Sequence, residues 1–369
     1  MSRLKRVLIF EYISGGGIED VQDFNFLIPE GFGMLSSMIT DFASLDFQIY
    51  TLIDSRVIEP FKSSHSNLLK NSQLAYTEIA HNEQVKSQLT HLIPKFEYIL
   101  IIAPEFSNIL EDLVRDAEFL IQSHQKMLNL PSAAISIFTD KIKTESFLMQ
   151  YGFISPHSCK ITEYSTILDP SHQDYVIKPI DGVGATDTYS IQLEDNSESI
   201  EMVISDILKR SSNQNLLIQQ KAIGIPLSAF ISSKNGNVTF FTINTQHINF
   251  SPVTDSSQTR QIHYLGGSTP YTEISPSIRR TIYEAASTIC SLFHFTGFFG
   301  IDFLFDKKTN NYSIIDVNPR VTTPYIAISE LFRENKHNIL ESLFEGEIKE
   351  EIHGSKSFRK TDQNTIELQ

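Results

Sequence analysis

Two short apolar segments near the C-terminal end carry the residues best suited to chemistry. They are Gly300-Ile301-Asp302-Phe303-Leu304-Phe305 and Ile314-Ile315-Asp316-Val317-Asn318-Pro319-Arg320, joined by a polar connection over residues 307–311. Side chains alternate along a strand, so Asp316 and Asn318 share a face. The short connection predicts a hairpin, which brings Asp302 close to Asp316. Two carboxylates and an amide oxygen on one sheet face form an all-oxygen site for a hard cation. Mg²⁺ fits, because it takes a few carboxylates together with waters and phosphate oxygens, and Mn²⁺ is the alternative. The plainer reading is a pair of solvent-facing acids. Apolar neighbours weigh against it, since a lone acid among them is costly without a cation. Arg320, just beyond, has a planar fork suited to phosphate or carboxylate, with a surface salt bridge as its bland alternative.

A second cluster lies upstream. Lys178 ends the apolar run Tyr175-Val176-Ile177-Lys178-Pro179, where a charge needs a partner, and a phosphate would supply one. Asp181-Gly182-Val183-Gly184-Ala185-Thr186 follows at once. Glycines let the backbone approach a ligand and aim N–H groups at phosphate oxygens. The loop has no Walker pattern, and by itself it reads better as a plain hairpin turn. Together with a cation site downstream, it reads as a phosphate lid.

These residues need elements to hold them. Val7-Leu8-Ile9-Phe10 is a continuous apolar run of the kind that forms a parallel strand covered on both faces. A helical pattern over 34–42, a strand over 47–53 and a strand over 98–103 continue the alternation to about residue 125, predicting an open α/β domain. Ligands of such sheets bind beyond the carboxyl ends of the strands, which places Glu11 and the loop Ser14-Gly15-Gly16-Gly17 on the functional edge. Thr139-Asp140 predicts the cap of a helix that ends before Gly152. Strands follow at 216–219, 228–232 and 238–244, with a helix expected within 194–215. Residues 245–271 read as a long irregular stretch. Ser275-Pro276 opens a helix with apolar residues at Ile278, Ile282, Ala285, Ala286 and Ile289. From about residue 345 the tail is polar and reads as poorly ordered.

The chain has 369 residues, enough for two or three lobes, and 44 acidic against 30 basic side chains give a net charge of −14. That balance weighs against a nucleic-acid surface. Cys159 and Cys290 lack metal-ligand spacing and read as buried thiols. The apolar run at the start is too short for a secretory leader and none reaches membrane-spanning length, so the expectation is a cytoplasmic protein.

Taken in order, these motifs resemble the ATP-grasp superfamily over about residues 130–330. The resemblance rests on Val176-Ile177-Lys178-Pro179 with Gly182 and Gly184, on Leu217-Ile218-Gln219-Gln220-Lys221-Ala222-Ile223-Gly224, on Gly300-Ile301-Asp302 and on Asp316-Val317-Asn318-Pro319-Arg320. It implies an N-terminal open parallel α/β domain (1–125), a small lobe with the glycine lid (126–215), a lobe with the metal site (216–345) and a polar tail (346–369). It also implies ATP and Mg²⁺ as cofactors, Lys141 and Lys178 as phosphate lysines, Gln220, Lys221 and Ile223 in an adenine-reading hinge, and Asp302, Asp316 and Asn318 as metal ligands. Arg320 would be a catalytic cation, and Arg260 aligns loosely with a substrate- or phosphate-binding arginine. Two departures are Lys221, where an acid is common, and Ala185, where a second glycine is frequent.

Phe10-Glu11-Tyr12 before Ser14-Gly15-Gly16-Gly17, then Pro29-Glu30-Gly31, is similar to the tyramine–glutamate ligase group of methanofuran-type biosynthesis. This implies a ligase that joins a small-molecule carboxylate, such as glutamate, to an amine through an acylphosphate, with Glu11, Ser14, Gly15 and Gly16 at the substrate and a homodimer as one arrangement. No residue stands out as the amine's base; His247 and His263 read better as structural or exposed. Other members of the superfamily that join amino acids, and a non-catalytic nucleotide-binding regulator on the same scaffold, are the alternatives.

Overall fold

The computed structural model describes residues 4–19, 27–169, 173–193, 200–253, 256–346, 348, 352–361 and 366–369. The N-terminal part is a parallel sheet of β1 (Arg6–Glu11), β2 (Gln48–Asp54), β3 (Leu74–Ile79), β4 (Tyr98–Ile102) and β5 (Lys126–Met127), in the order β3-β2-β1-β4-β5. Alternation along β1 explains why its run is apolar throughout. Val7 and Ile9 pack in one core with Leu35, Met38 and Phe42 of α1 (Ile28–Ser44). Leu8 and Phe10 join the opposite core, with Leu89 of α2 (Glu83–Leu92) and Val114 of α3 (Ile109–Leu120).

The rest of the chain builds a second, antiparallel sheet, eleven-stranded among the described residues. Its small lobe consists of β6 (Ser158–Lys160), β7 (Asp174–Pro179), β8 (Tyr189–Gln192) and β9 (Leu216–Gln220). Tyr175, Ile177, Ile191 and Ile218 pack there against Val203 and Ile207. α4 (Lys141–Gln150) precedes that lobe, with the Asp140 carboxylate accepting from the N–H groups of Ile142 and Lys143 as the expected cap. α5 (Ile200–Arg210) covers the lobe; the expected start of this helix at 194–199 lies outside the described residues.

The large lobe pairs β10 (Ile225–Lys234), β11 (Asn237–Val253), β12 (Ser256–Thr269), β13 (Gly297–Asp306) and β14 (Asn311–Asn318). α6 (Pro276–Phe293) packs on it, capped by Ser275 as its sequence indicates. The stretch expected to be irregular is instead the long β11–β12 ribbon, in which Ile248 opposes Tyr264 and Pro252 opposes Arg260. Pro252, Gly266 and Gly267 interrupt its apolar–polar alternation, and bulges shift its register.

The tail also differs from expectation. Among its described residues, β15 (Lys356–Lys360) pairs with β12, and β16 (Ile366–Leu368) pairs with β15; positions 347, 349–351 and 362–365 lie outside the description. Gly266 makes that pairing feasible: at φ +136° a Cβ there would meet the Phe358 carbonyl oxygen at 2.1 Å. Phe358 is buried, which accounts for strand formation in a polar segment. Both cysteines are free and buried, and no described helix is long and apolar enough to cross a membrane.

One of the contacts that dock the N-terminal domain on the large lobe is a buried carboxylate. Asp41 of α1 accepts from Tyr325 Oη and Ser329 Oγ, each at 2.6 Å, and from Arg333 Nη1 at 2.8 Å, all on α7 (Tyr325–Glu334). Burial pushes the Asp41 carboxyl up from its ordinary value, and Arg333 opposes that shift. Removing the guanidinium leaves a buried acid without its countercharge. Arg333→Met is therefore expected to lower the stability of the folded chain by about 3 kcal/mol, read from the midpoint of urea unfolding; an unchanged midpoint would mean that the pair does not hold the domains.

Candidate active site

The two lobes and the N-terminal domain enclose a cavity of about 570 Å³, within the range of small-molecule sites. Its floor is the β13–β14 pair. Asp302 lies opposite Asp316 in register and Gly300 opposite Asn318, so the two acids and the amide share one face. Asn318 Nδ2 donates to Asp302 Oδ2 at 3.0 Å, and Gln246 Nε2 donates to Asp302 Oδ1 at 3.0 Å. Burial, and then the facing Asp316 carboxylate, push Asp302 up to about 6. Like charges set opposite each other in a buried wall need a cation, and these oxygens fit a hard divalent one. No cluster of three acid, histidine or cysteine ligands occurs among the described residues, so such an ion would take its remaining ligands from water or from a bound anion.

Two lysines stand over this face. Lys141 Nζ, at the first turn of α4, lies 3.2 Å from Asp316 Oδ2 and donates to the Gly182 carbonyl oxygen at 3.0 Å. Lys178, at the end of β7, is buried; desolvation draws its ammonium down to about 8, with Asp316 opposing and Lys141 reinforcing the shift. Gly182 and Gly184 border the cavity above them. Gly184 has φ +62° and Ala185 φ +60°. The alanine thus carries a left-handed strain of roughly 1 kcal/mol that glycine would lack. The loop is tied down from both sides: Asp181 accepts from the Ser107 N–H at 3.0 Å and from Asn213 Nδ2 at 3.2 Å. Val183 packs with Ile13, Ile18 and Leu27 of the N-terminal domain.

At the other end, Gln220, Lys221 and Ile223 line the cavity beside Val176, Ile248, Leu304 and Ile315. These apolar walls suit a flat ring. Lys221 Nζ lies 3.5 Å from Asp174 and over the Phe250 ring. The basic residue is thereby absorbed locally.

Arg320 also lines the cavity. Its Nε lies 2.9 Å from Glu105 Oε1, and its Nη1 donates to the Val321 carbonyl oxygen at 3.1 Å. The pair is buried, so this is no surface salt bridge. Arg260 is elsewhere. It is exposed on β12, on the same strand face as the cavity residues Ile262 and Tyr264 but outside the lining. Glu11, Ser14, Gly15 and Gly16 are also outside it. Glu11 accepts from the N–H groups of Ile13 and Ser14 at 3.0 and 2.6 Å and from Ser14 Oγ at 2.5 Å, bracing the loop after β1. A Cβ on Gly16 would meet Ile79 at 2.4 Å, so that loop is packed rather than open.

Gln246, Glu30, Glu105 and Thr323 escaped the sequence reading as site residues. Gln246 sits in the stretch read as irregular, and the other three reach the site only through tertiary packing.

The depressed Lys178 has a testable sign. Between pH 8 and the ordinary lysine value of 10.5, the unfolded chain binds a proton that the folded chain does not, so this group makes stability rise with pH there. Below pH 8 the full penalty is present. Ligand-free Lys178→Met is therefore expected to be more stable than wild type at pH 7, on the order of 3 kcal/mol, with the gain shrinking toward pH 10. Thermal unfolding at several pH values checks this, and a pH-independent difference would contradict it.

Comparison with known proteins agrees with this architecture. Residues 138–324 match the ATP-grasp domain, and residues 47–135 match the pre ATP-grasp 3 domain. The chain is 25% identical over 342 residues to a tyramine–L-glutamate ligase of Methanocaldococcus fervens, covering 90% of this chain and 94% of that one. Among solved structures, an ATP-grasp superfamily protein from Archaeoglobus fulgidus has a TM-score of 0.67 at 20% identity, with 99% of this chain and 98% of that one covered. An L-amino acid ligase from Bacillus licheniformis has a TM-score of 0.61 at 15% identity, covering 97% of this chain and 80% of that one. By its matched residues and its fold, the chain belongs to the ATP-grasp family of ATP-dependent ligases.

Proposed function

We propose that this protein is an ATP- and Mg²⁺-dependent carboxylate–amine ligase that activates the acid as an acylphosphate, with glutamate and tyramine or a related amine as its substrates. The observation that carries the reading is the facing Asp302–Asp316 pair beneath two lysines in one enclosed cavity. The likeness to a tyramine–L-glutamate ligase along nearly the whole chain supports the choice of substrates.

Asp302, Asp316 and Asn318 hold Mg²⁺ in this reading, and the bound ion supplies charge neutralisation on the transferring phosphates. Lys141 and Lys178 meet the phosphate oxygens, which gives the buried Lys178 the countercharge it lacks. Gln220–Ile223 and the apolar walls beside them take the adenine. Arg320, fixed by Glu105, orients the substrate carboxylate toward the γ-phosphate by its planar fork. Attack by that carboxylate gives the acylphosphate and ADP. An amine then displaces phosphate to form the amide. The tethered glycine loop keeps water from the acylphosphate in between.

Wild-type protein is expected to release ADP only when an acid and an amine are both present, with the amide seen by mass spectrometry. Asp316→Ala is expected to lower that rate by about 10³-fold, equivalent to roughly 4 kcal/mol of barrier, with an unchanged far-ultraviolet circular dichroism spectrum. ADP release by the variant at the wild-type rate would remove the metal assignment.

A further inference from the structure

Three acids line the cavity: Glu30, Asp302 and Asp316. The last two form the cation face. Glu30 is on a different wall, in the first turn of α1, and the chemistry above leaves it without a task. It is buried, and both its oxygens are engaged: Thr323 Oγ1 donates to Oε2, and Lys360 Nζ pairs with Oε1. Lys360 is on β15 and lies over the Tyr264 ring, 5.6 Å from its centroid. Glu30 is therefore held in one orientation by two separate segments of chain. Its charge is felt at Arg320, which lines the same end of the cavity with Thr322 and Thr323.

Glu30 lines the cavity as well as pairing with Lys360. A carboxylate accepts about four hydrogen bonds, and Thr323 and Lys360 use only two. What remains is an anionic acceptor on the wall, next to a guanidinium suited to a carboxylate. That juxtaposition complements a ligand carrying an ammonium and a carboxylate near one another, or an ammonium approaching an activated carboxylate. The cation face and the two lysines offer neither an anion to spare nor room for a positive group.

We propose that Glu30 is the residue that binds the ammonium group of a substrate, oriented for it by Thr323 and by Lys360 of the C-terminal strand. This rests on the ligase reading. The ammonium belongs either to an amino-acid donor or to the acceptor amine, and both present the same chemistry to Glu30.

The test compares wild type with Glu30→Gln on charged and uncharged versions of each substrate: L-glutamate against glutarate as donor, and tyramine against hydroxylamine, which is uncharged at neutral pH, as acceptor. The KM of the ammonium-bearing substrate is expected to rise by about 10- to 100-fold, while KM for ATP stays within about twofold. A rise for L-glutamate but not glutarate assigns the donor ammonium; a rise for tyramine but not hydroxylamine assigns the acceptor. Equal changes on charged and uncharged partners, or no change, would overturn the proposal. Retained thermal stabilisation by MgATP shows that the variant is folded. Lys360→Met and Thr323→Val keep the carboxylate; if either reproduced the full charged-substrate defect, Glu30 would be only a staple. A binding arm needs no turnover: L-glutamate or tyramine should raise the melting temperature of wild type with MgADP present, but not that of Glu30→Gln. That shift without any ADP release by wild type would reject the ligase reading and keep the ammonium site.

Discussion

Asp302 and Asp316 face each other across a strand pair in a buried wall, and like charges in that arrangement repel with little water to screen them. The surrounding structure answers that repulsion piece by piece. Asn318 and Gln246 each donate to Asp302, Lys141 reaches Asp316, and Lys178 is held over the same face at a desolvation cost to its ammonium. A site so arranged is not optimised for the stability of the empty protein. Its residual imbalance is what a cation and a polyphosphate would relieve together, and the sheet fixes the spacing before either arrives.

The N-terminal domain contributes more than a neighbouring surface. Glu105 follows β4 and orients Arg320; Ser107, two residues on, holds the glycine loop through Asp181. Glu30 enters from the start of α1, and Asp41, eleven residues later on the same helix, locks that helix to α7. One docking point of α1 falls at Thr323, within the segment Arg320–Pro324, and the other begins just after it at Tyr325, so α1 holds the chain beside Arg320. The β15 strand adds Lys360 from the far side.

The juxtaposition of Asp302, Asp316 and Asn318 was legible in the sequence because a hairpin converts spacing directly into proximity. Asp316 and Asn318 are two apart and therefore on one side, and a short turn returns Asp302 to them. Lys178 was legible because a charge ending an apolar run is conspicuous. Residues 245–271 were not: Ile248, Phe250, Ile262 and Tyr264 do alternate with polar residues, but Pro252, Gly266 and Gly267 and the register shifts interrupt that pattern. The tail was hidden for a related reason: its apolar residues are few and scattered, and the glycine that admits the buried Phe358 is about ninety residues away. Glu11 misled in the opposite direction. It does lie at the carboxyl end of β1, where ligands bind in open sheets, but its oxygens are consumed by the loop that follows it.

The central claim is that the substrate carboxylate itself attacks the γ-phosphate. It is tested most directly with ¹⁸O-labelled glutamate, MgATP and tyramine, followed by mass analysis of the products. The account predicts ADP, an amide that keeps one label fewer at the reacting carboxyl, and one ¹⁸O in the released inorganic phosphate. Label found in AMP, or phosphate released without label while the amide forms, would contradict it.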